Sequence, residues 1–152
     1  PTFHVRRHEL CLAGDPCNAC ILADRSQMEA LFATLLMNSL DALPVSGGGM
    51  VTLEAFVQDE RVDLLVSDNG SGIPSEQLPH IFEPFFTTKR AGQGTGLGLS
   101  IAHNIVKDHA GTIELANKPS GGVIVRMSFP LCLEKIVTPA TAPALAFEDR
   151  QV

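Results

Sequence analysis

The chain has 152 residues, 45% of them hydrophobic, with 11 Lys and Arg set against 17 Asp and Glu for a formal net charge of −6. That length closes one core with a short appendage. No run approaches the roughly 18–20 apolar residues of a membrane span, residues 1–8 lack a signal peptide's apolar stretch, and the acidic balance argues against nucleic acid as a partner. The expectation is a cytoplasmic, monomeric domain with no membrane contact by this segment.

Residues 3–10 alternate enough for a strand, and Cys20-Ile21-Leu22 is a short apolar run before Asp24. Asp24 and Gln27 read as the N-cap and capping-box partner of a helix reaching about Leu43. Met28, Leu31, Phe32, Leu35 and Ser39 fall on its buried face by their i, i+3, i+4, i+7 spacing. Pro44 and Gly47-Gly48-Gly49 stop it. Residues 50–57 and 61–66 predict an antiparallel hairpin around a tight polar turn at 58–60. The stretch Ser67-Asp68-Asn69-Gly70-Ser71-Gly72-Ile73-Pro74 is too rich in glycine for a regular element, and a short helical stretch follows at 75–80. Residues 82–98 read as a long loop, and a connection of that length inside a compact domain is normally functional, often a lid. A helix over 98–110 ends at Gly111, and residues 112–116 and 123–129 make a second hairpin. Residues 138–152, rich in Ala and Pro, predict a tail or linker after a domain of residues 1–137. Helices and antiparallel hairpins in this order predict an α+β fold: a two-layer sandwich of one mixed, mostly antiparallel sheet with helices on one face.

The cysteines are Cys11, Cys17, Cys20 and Cys132, with one C-x-x-C pair. A single pair is not a zinc site; an all-cysteine cluster would need Cys11 and Cys132 to fold against it. Reduced, half-buried thiols are the expected state, with a metal or a redox role as the alternatives.

Chemistry concentrates in four segments. Gly92-Gln93-Gly94-Thr95-Gly96-Leu97-Gly98-Leu99 opens directly onto a helix, so its backbone N–H groups and the helix N-terminus can converge on a phosphate. An acidic chain holding a nucleotide should rely on such amides and on a bridging Mg²⁺ rather than on a basic pocket. Asn38, mid-helix, shares a face with Thr34, Asp41 and Ala42, and its amide oxygen suits Mg²⁺; the alternative is an Asn bonded to nearby backbone. Asp68, at a strand end before Gly70 and Gly72, can accept from an exocyclic amine such as adenine N6, or simply make an Asx turn. Phe82, Phe85 and Phe86 anchor a lid or meet another domain, and Lys89 at the loop's lip pairs with a terminal phosphate or is a solvated charge.

In this order the four segments resemble the catalytic ATP-binding domain of bacterial sensor histidine kinases, within the superfamily of DNA gyrase, the ninety-kilodalton heat-shock chaperone and MutL. Residues 34–42 look like the N box, 68–72 the G1 box, 81–89 the F box and 94–99 the G2 box, and the likeness extends over residues 3–131. Phe-Glu-Pro-Phe-Phe-Thr-Thr-Lys before the G2 box is typical of the kinases. The resemblance implies a Bergerat-type ATP-binding fold and the cofactors ATP and Mg²⁺. It implies a metal site at Asn38, with Asn38 and Lys89 serving transfer, and a nucleotide site comprising Asn38, Asp41, Ala42, Asp68, Gly70, Gly72, Ile73, Phe82, Lys89, Gly94, Thr95, Gly96, Leu97, Gly98 and Leu99. The implied reaction is transfer of the γ-phosphoryl group to a histidine on a separate dimerisation domain, with a response regulator downstream. The isolated chain would then not phosphorylate itself. A regulatory nucleotide-binding module without transfer is the alternative.

The chain departs from the family pattern at three positions. Thr34 replaces the first Asn of the N box; the hydrolysing branches carry a water-activating glutamate there, so Thr34 favours a transferase. Ser39 replaces an alanine, and Val123 stands where a threonine is usual. His8-Glu9 resembles a phospho-acceptor pair, but Gly14-Asp15-Pro16 follows at once and no long helix surrounds it, so a strand histidine is expected. His103 and His109 read as helix-packing and helix-end residues.

Overall fold

The computed structural model describes residues 8–14 in their backbone, and residues 19–87 and 94–132 in full. Its strands are β1 (His8–Gly14), β2 (Gly49–Gln58), β3 (Arg61–Asp68), β4 (Thr112–Asn117) and β5 (Val123–Pro130), and its helices are α1 (Arg25–Ala42) and α2 (Gly98–Asp108). The strands form one sheet in the order β1-β2-β3-β5-β4, with β1 parallel to β2 and every other pair antiparallel. This is the mixed, mostly antiparallel sheet expected from the sequence.

Strand alternation fixes which face carries the core. Val51, Val66, Val125, Met127 and Phe129 point to one face and are buried there with Leu31 and Leu35 of α1 and Ala102 and Val106 of α2. Both helices therefore lie on that face, and the fold has two layers. Asp24 caps α1, its carboxylate accepting from the Gln27 N–H at 2.9 Å and the Ser26 hydroxyl at 2.6 Å. The Ser26 hydroxyl, foremost, and the Gln27 amide hold its pKa below the ordinary value.

Several expectations need correction. Of the strand read over 3–10, residues 3–7 lie outside the described residues; the described strand runs past Leu10 to Gly14 because it pairs in parallel with β2, where His8 faces Gly49 and Gly14 faces Ala55. His8 lies in a strand, as expected. The helical stretch at 75–80 shrinks to turns and a single 3₁₀ turn, Leu78–His80. The second helix stops at Asp108: Ala110 takes a left-handed φ of 53°, its N–H donates to Lys107 O at 3.0 Å, and the Gly111 N–H donates to Val106 O at 2.9 Å. That is a Schellman ending with alanine at the left-handed position. Similarly, the β2–β3 turn has two central residues, Asp59 and Glu60, both left-handed at φ 49° and 61°, the geometry that matches strand twist. His109 does sit at the helix end. Its Nδ1–H donates to Ile105 O at 2.7 Å, and its Nε2 accepts from the Asp24 N–H at 3.0 Å, tying the end of α2 to the start of α1. The tail expected over 138–152, and with it the domain limit at 137, lies outside the described residues.

On the sheet face away from the helices, Asp63 is 2% exposed and binds Arg126 Nη2 at 2.5 Å, while Arg61 donates to the Ser128 hydroxyl and carbonyl, each at 2.8 Å. Burial pushes the Asp63 carboxyl up, but the Ser128 hydroxyl, Arg126 and Arg61 outweigh it and hold it below the usual carboxylate range. A depressed native pKa contributes stability that is present above the unfolded-chain value near 4 and is lost as pH falls through the native one. Urea midpoints measured from pH 6 downward should therefore fall below about pH 4, and fall less steeply in Asp63→Asn. Parallel pH profiles would contradict this.

Candidate functional site

At the end of β3, Asp68 is 4% exposed. One carboxylate oxygen, Oδ1, accepts from the Gly70 N–H at 2.8 Å and the Val123 N–H at 3.3 Å. The first of these is the Asx turn; it engages one oxygen and leaves Oδ2 without a hydrogen-bond partner among the described residues. The Asx turn and a ligand role are thus compatible.

The segment after Asp68 is pinned from both sides. The Ser71 N–H donates to Ala42 O at the end of α1, and Gly70 lies so close to that carbonyl that it packs rather than opens the site. Across the segment Asn117 acts like a missing strand: its Oδ1 accepts from the Ile73 N–H at 2.8 Å and its Nδ2 donates to Ile73 O at 2.6 Å. Sequence reasoning missed Asn117. A signal was present, because it continues the inward-facing series Ile113, Leu115, Asn117 on β4 with a polar residue. Asn117→Ala is expected to cost about 1 kcal/mol of stability and to speed amide exchange at Ile73; unchanged exchange would refute the clamp.

Asn38 projects from α1 near Asp41 and Ala42, and its amide makes no hydrogen bond to the protein among the described residues. The backbone-bonded alternative is therefore not what the fold adopts. At the other wall α2 begins at Gly98; its first intrahelical bond is from the Ile101 N–H to Leu97 O at 2.9 Å, so the Gly98, Leu99 and Ser100 amides remain for another acceptor, while the Leu97 N–H donates to Thr95 Oγ1 at 3.3 Å. Gly96 fixes the approach to this helix. It is left-handed at φ 66°, its carbonyl accepts from the Phe85 N–H at 2.8 Å, and a Cβ there would lie 2.4 Å from the Phe85 carbonyl carbon.

The three phenylalanines divide their tasks. Phe82 packs on the core, its ring 5.4 Å from that of His103, and Phe86 is half-buried. Phe85 is 73% exposed, so it is held by its backbone and not by its side chain. His103 is thus a packing residue, as expected.

These parts enclose a cavity of about 730 Å³. Of the residues expected at a nucleotide site, Asn38, Asp41, Ala42, Asp68, Gly72, Ile73, Gly94, Thr95, Gly96, Gly98 and Leu99 line it. Gly70, Phe82 and Leu97 do not; they shape the turn, the floor and the helix start behind the lining. Lys89 lies outside the described residues. Leu35, Ile81, Leu115, Val123 and Val125 add an apolar floor, and Gln77, Phe86 and Thr87 add to the rim; of these, Gln77, Leu115 and Val125 belong to none of the sequence motifs. Volume and lining suit a nucleotide-sized ligand: apolar walls for a base and a few polar groups for orientation. Among the described residues no cluster of three His, Cys, Asp or Glu could hold a metal by itself. The lone amide of Asn38 fits Mg²⁺, which takes one or two protein oxygens and draws its remaining ligands from phosphates and water.

Comparison with known proteins gives a consistent picture. The family model "Histidine kinase-, DNA gyrase B-, and HSP90-like ATPase" matches residues 23–133. Sporulation kinase A of Bacillus subtilis is 37% identical over 110 residues, 72% of this chain and 18% of that protein. Sensor histidine kinase ZraS of Escherichia coli is 36% identical over 111 residues, 73% of this chain and 23% of that protein. The chain thus spans less than a quarter of either relative's length. The solved catalytic domain of histidine kinase ThkA superposes with a TM-score of 0.71 at 33% identity, covering 81% of this chain and 78% of that one. ThkA in complex with the response regulator TrrA also matches, with a TM-score of 0.66 at 28% identity over 81% of this chain and 34% of that one.

Proposed function

The chain belongs to the histidine kinase-, DNA gyrase B- and HSP90-like ATPase family, as an ATP-binding catalytic domain of the sensor histidine kinase type, and from that membership we propose that it transfers the γ-phosphoryl group of Mg-ATP to a histidine on a separate dimerisation domain. One observation carries the reading: the uncommitted amide of Asn38 lines the same cavity as Asp68 and the first residues of α2. Asp68, through Oδ2, would accept from the adenine amine, and Gly72, Ile73, Asp41 and Ala42, which line the same cavity, would hold the base. The α2 amides and residues 94–99 would meet the phosphates, and Lys89, outside the described residues, would pair with the terminal one. Asn38 would hold Mg²⁺, which when bound would neutralise phosphate charge. Gly70, Phe82 and Leu97 support these groups from behind.

Phosphoryl transfer of this kind is positioning plus charge neutralisation, so the site needs no strong general base. Thr34 supports transfer over hydrolysis, since it carries no carboxylate and does not line the cavity; its methyl instead faces Gly98. No helix among the described residues is long and apolar enough to cross a membrane. We place the domain in the cytoplasm, where ATP is available, as residues 1–137 of the present chain. Its partners are the dimerisation domain and, downstream, a response regulator; ThkA is solved with one.

The test mixes this chain with its cognate dimerisation domain and ATP labelled at the γ position. Acid-labile phosphohistidine should form on the partner and vanish in Asn38→Ala. Tight nucleotide binding with no phosphate moved would leave the regulatory module instead, and steady phosphate release by the chain alone would make it an ATPase.

A further inference from the structure

Of the C-x-x-C pair, Cys20 lies among the described residues; it does not line the nucleotide cavity, and the fold gives it a different neighbour. The Cys132 N–H, just past β5, donates to the carbonyl of Cys20, on the segment leading into α1, at 2.7 Å. Backbone dimensions then hold the two Cα atoms within about 7 Å of one another, against the roughly 4.4–6.8 Å that a disulfide spans. Both residues are half-buried thiols, held by their surroundings yet within reach of a small oxidant. We propose that Cys20 and Cys132 form a reversible disulfide staple that joins the entry of α1 to the end of β5 under oxidising conditions.

The chemistry is thiol–disulfide exchange with a small disulfide such as oxidised glutathione. One protein thiolate attacks the oxidant's S–S bond, which breaks; a protein–glutathione S–S bond forms and one glutathione thiolate leaves. The second protein thiolate attacks the protein sulfur of that mixed disulfide and expels the other glutathione. Two protein thiols are oxidised, one glutathione disulfide is reduced to two thiols, and the two protons pass to them. The closed loop spans nearly the whole domain, and because a longer loop costs the unfolded chain more entropy, folding and oxidation reinforce each other. A Cys17–Cys20 bridge would constrain almost nothing.

The wild-type chain and a Cys11→Ser/Cys17→Ser variant would each be treated with oxidised glutathione, alkylated, weighed and mapped by peptide. Both should lose about two mass units, yield a cross-linked Cys20–Cys132 peptide, and melt about 10 °C higher, reversibly with dithiothreitol. Glutathione adducts without a bridge, a Cys17–Cys20 bridge in the wild type, or a Cys20–Cys132 bridge with no change in melting temperature would each overturn the staple. Cys132→Ser should abolish the bridge, and a bridge of the same mass persisting there would also overturn it.

Discussion

Asp68→Asn should weaken binding of a non-hydrolysable ATP analogue by about 10- to 100-fold while leaving the fold in place. The asymmetry of the two carboxylate oxygens is the reason. An asparagine can keep its oxygen at the Oδ1 position, still accepting from the Gly70 and Val123 amides, so the turn survives. Its NH₂ then occupies the position of Oδ2, and a donor meets the adenine amine where an acceptor stood. The loss is therefore one of affinity with little change in urea midpoint. Calorimetric titration with Mg²⁺ present measures the first, and denaturation the second. Unchanged affinity would remove adenine from this end of the cavity, whereas equal losses in stability and affinity would make Asp68 a folding residue.

Gly122→Ala should lower stability by about 3 kcal/mol or more, the largest effect expected of any single methyl in the described chain. Gly122 is left-handed at φ 82°, and a Cβ there would lie 2.0 Å from the Asp68 carbonyl oxygen and 2.9 Å from Asn69 Cα. Neither obstacle is the end of a flexible side chain, so the β4–β5 turn must retreat from the G1 segment, taking the Val123 N–H away from Asp68. Nucleotide binding should fall with it. Gly121 supplies the control: it is left-handed at φ 94° with nothing within 4 Å of its Cβ position, so Gly121→Ala meets only the backbone penalty of about 1–2 kcal/mol. Equal costs at the two positions would show that crowding against Asp68 is not what Gly122 relieves.

What the sequence made legible was local. Asp24 and Gln27 announce α1 because a cap and its partner sit three residues apart, and both hairpins follow from alternation within each strand. The cavity's G1 and G2 glycines and Asn38 could be read because they stand together in short segments. The reach of β1 to Gly14 could not, since it depends on a partner strand some forty residues later in the chain. The apolar floor was hidden for the same reason: Leu115, Val123 and Val125 are ordinary strand residues until the sheet order sets them beneath Asp68. Of the two roles read for Phe85, anchoring the loop falls to its backbone, and its exposed ring matches the other, a contact for a further domain.

Among the described residues, none that lines the cavity is a lysine or an arginine. A polyanion lodged there would be gripped by fixed dipoles, by the divalent ion it carries in and by one proposed side-chain cation, Lys89, so added monovalent salt would have few side-chain charges to compete with. Occupancy would then track free magnesium far more closely than ionic strength, making the ion a second reactant of the domain rather than a background condition.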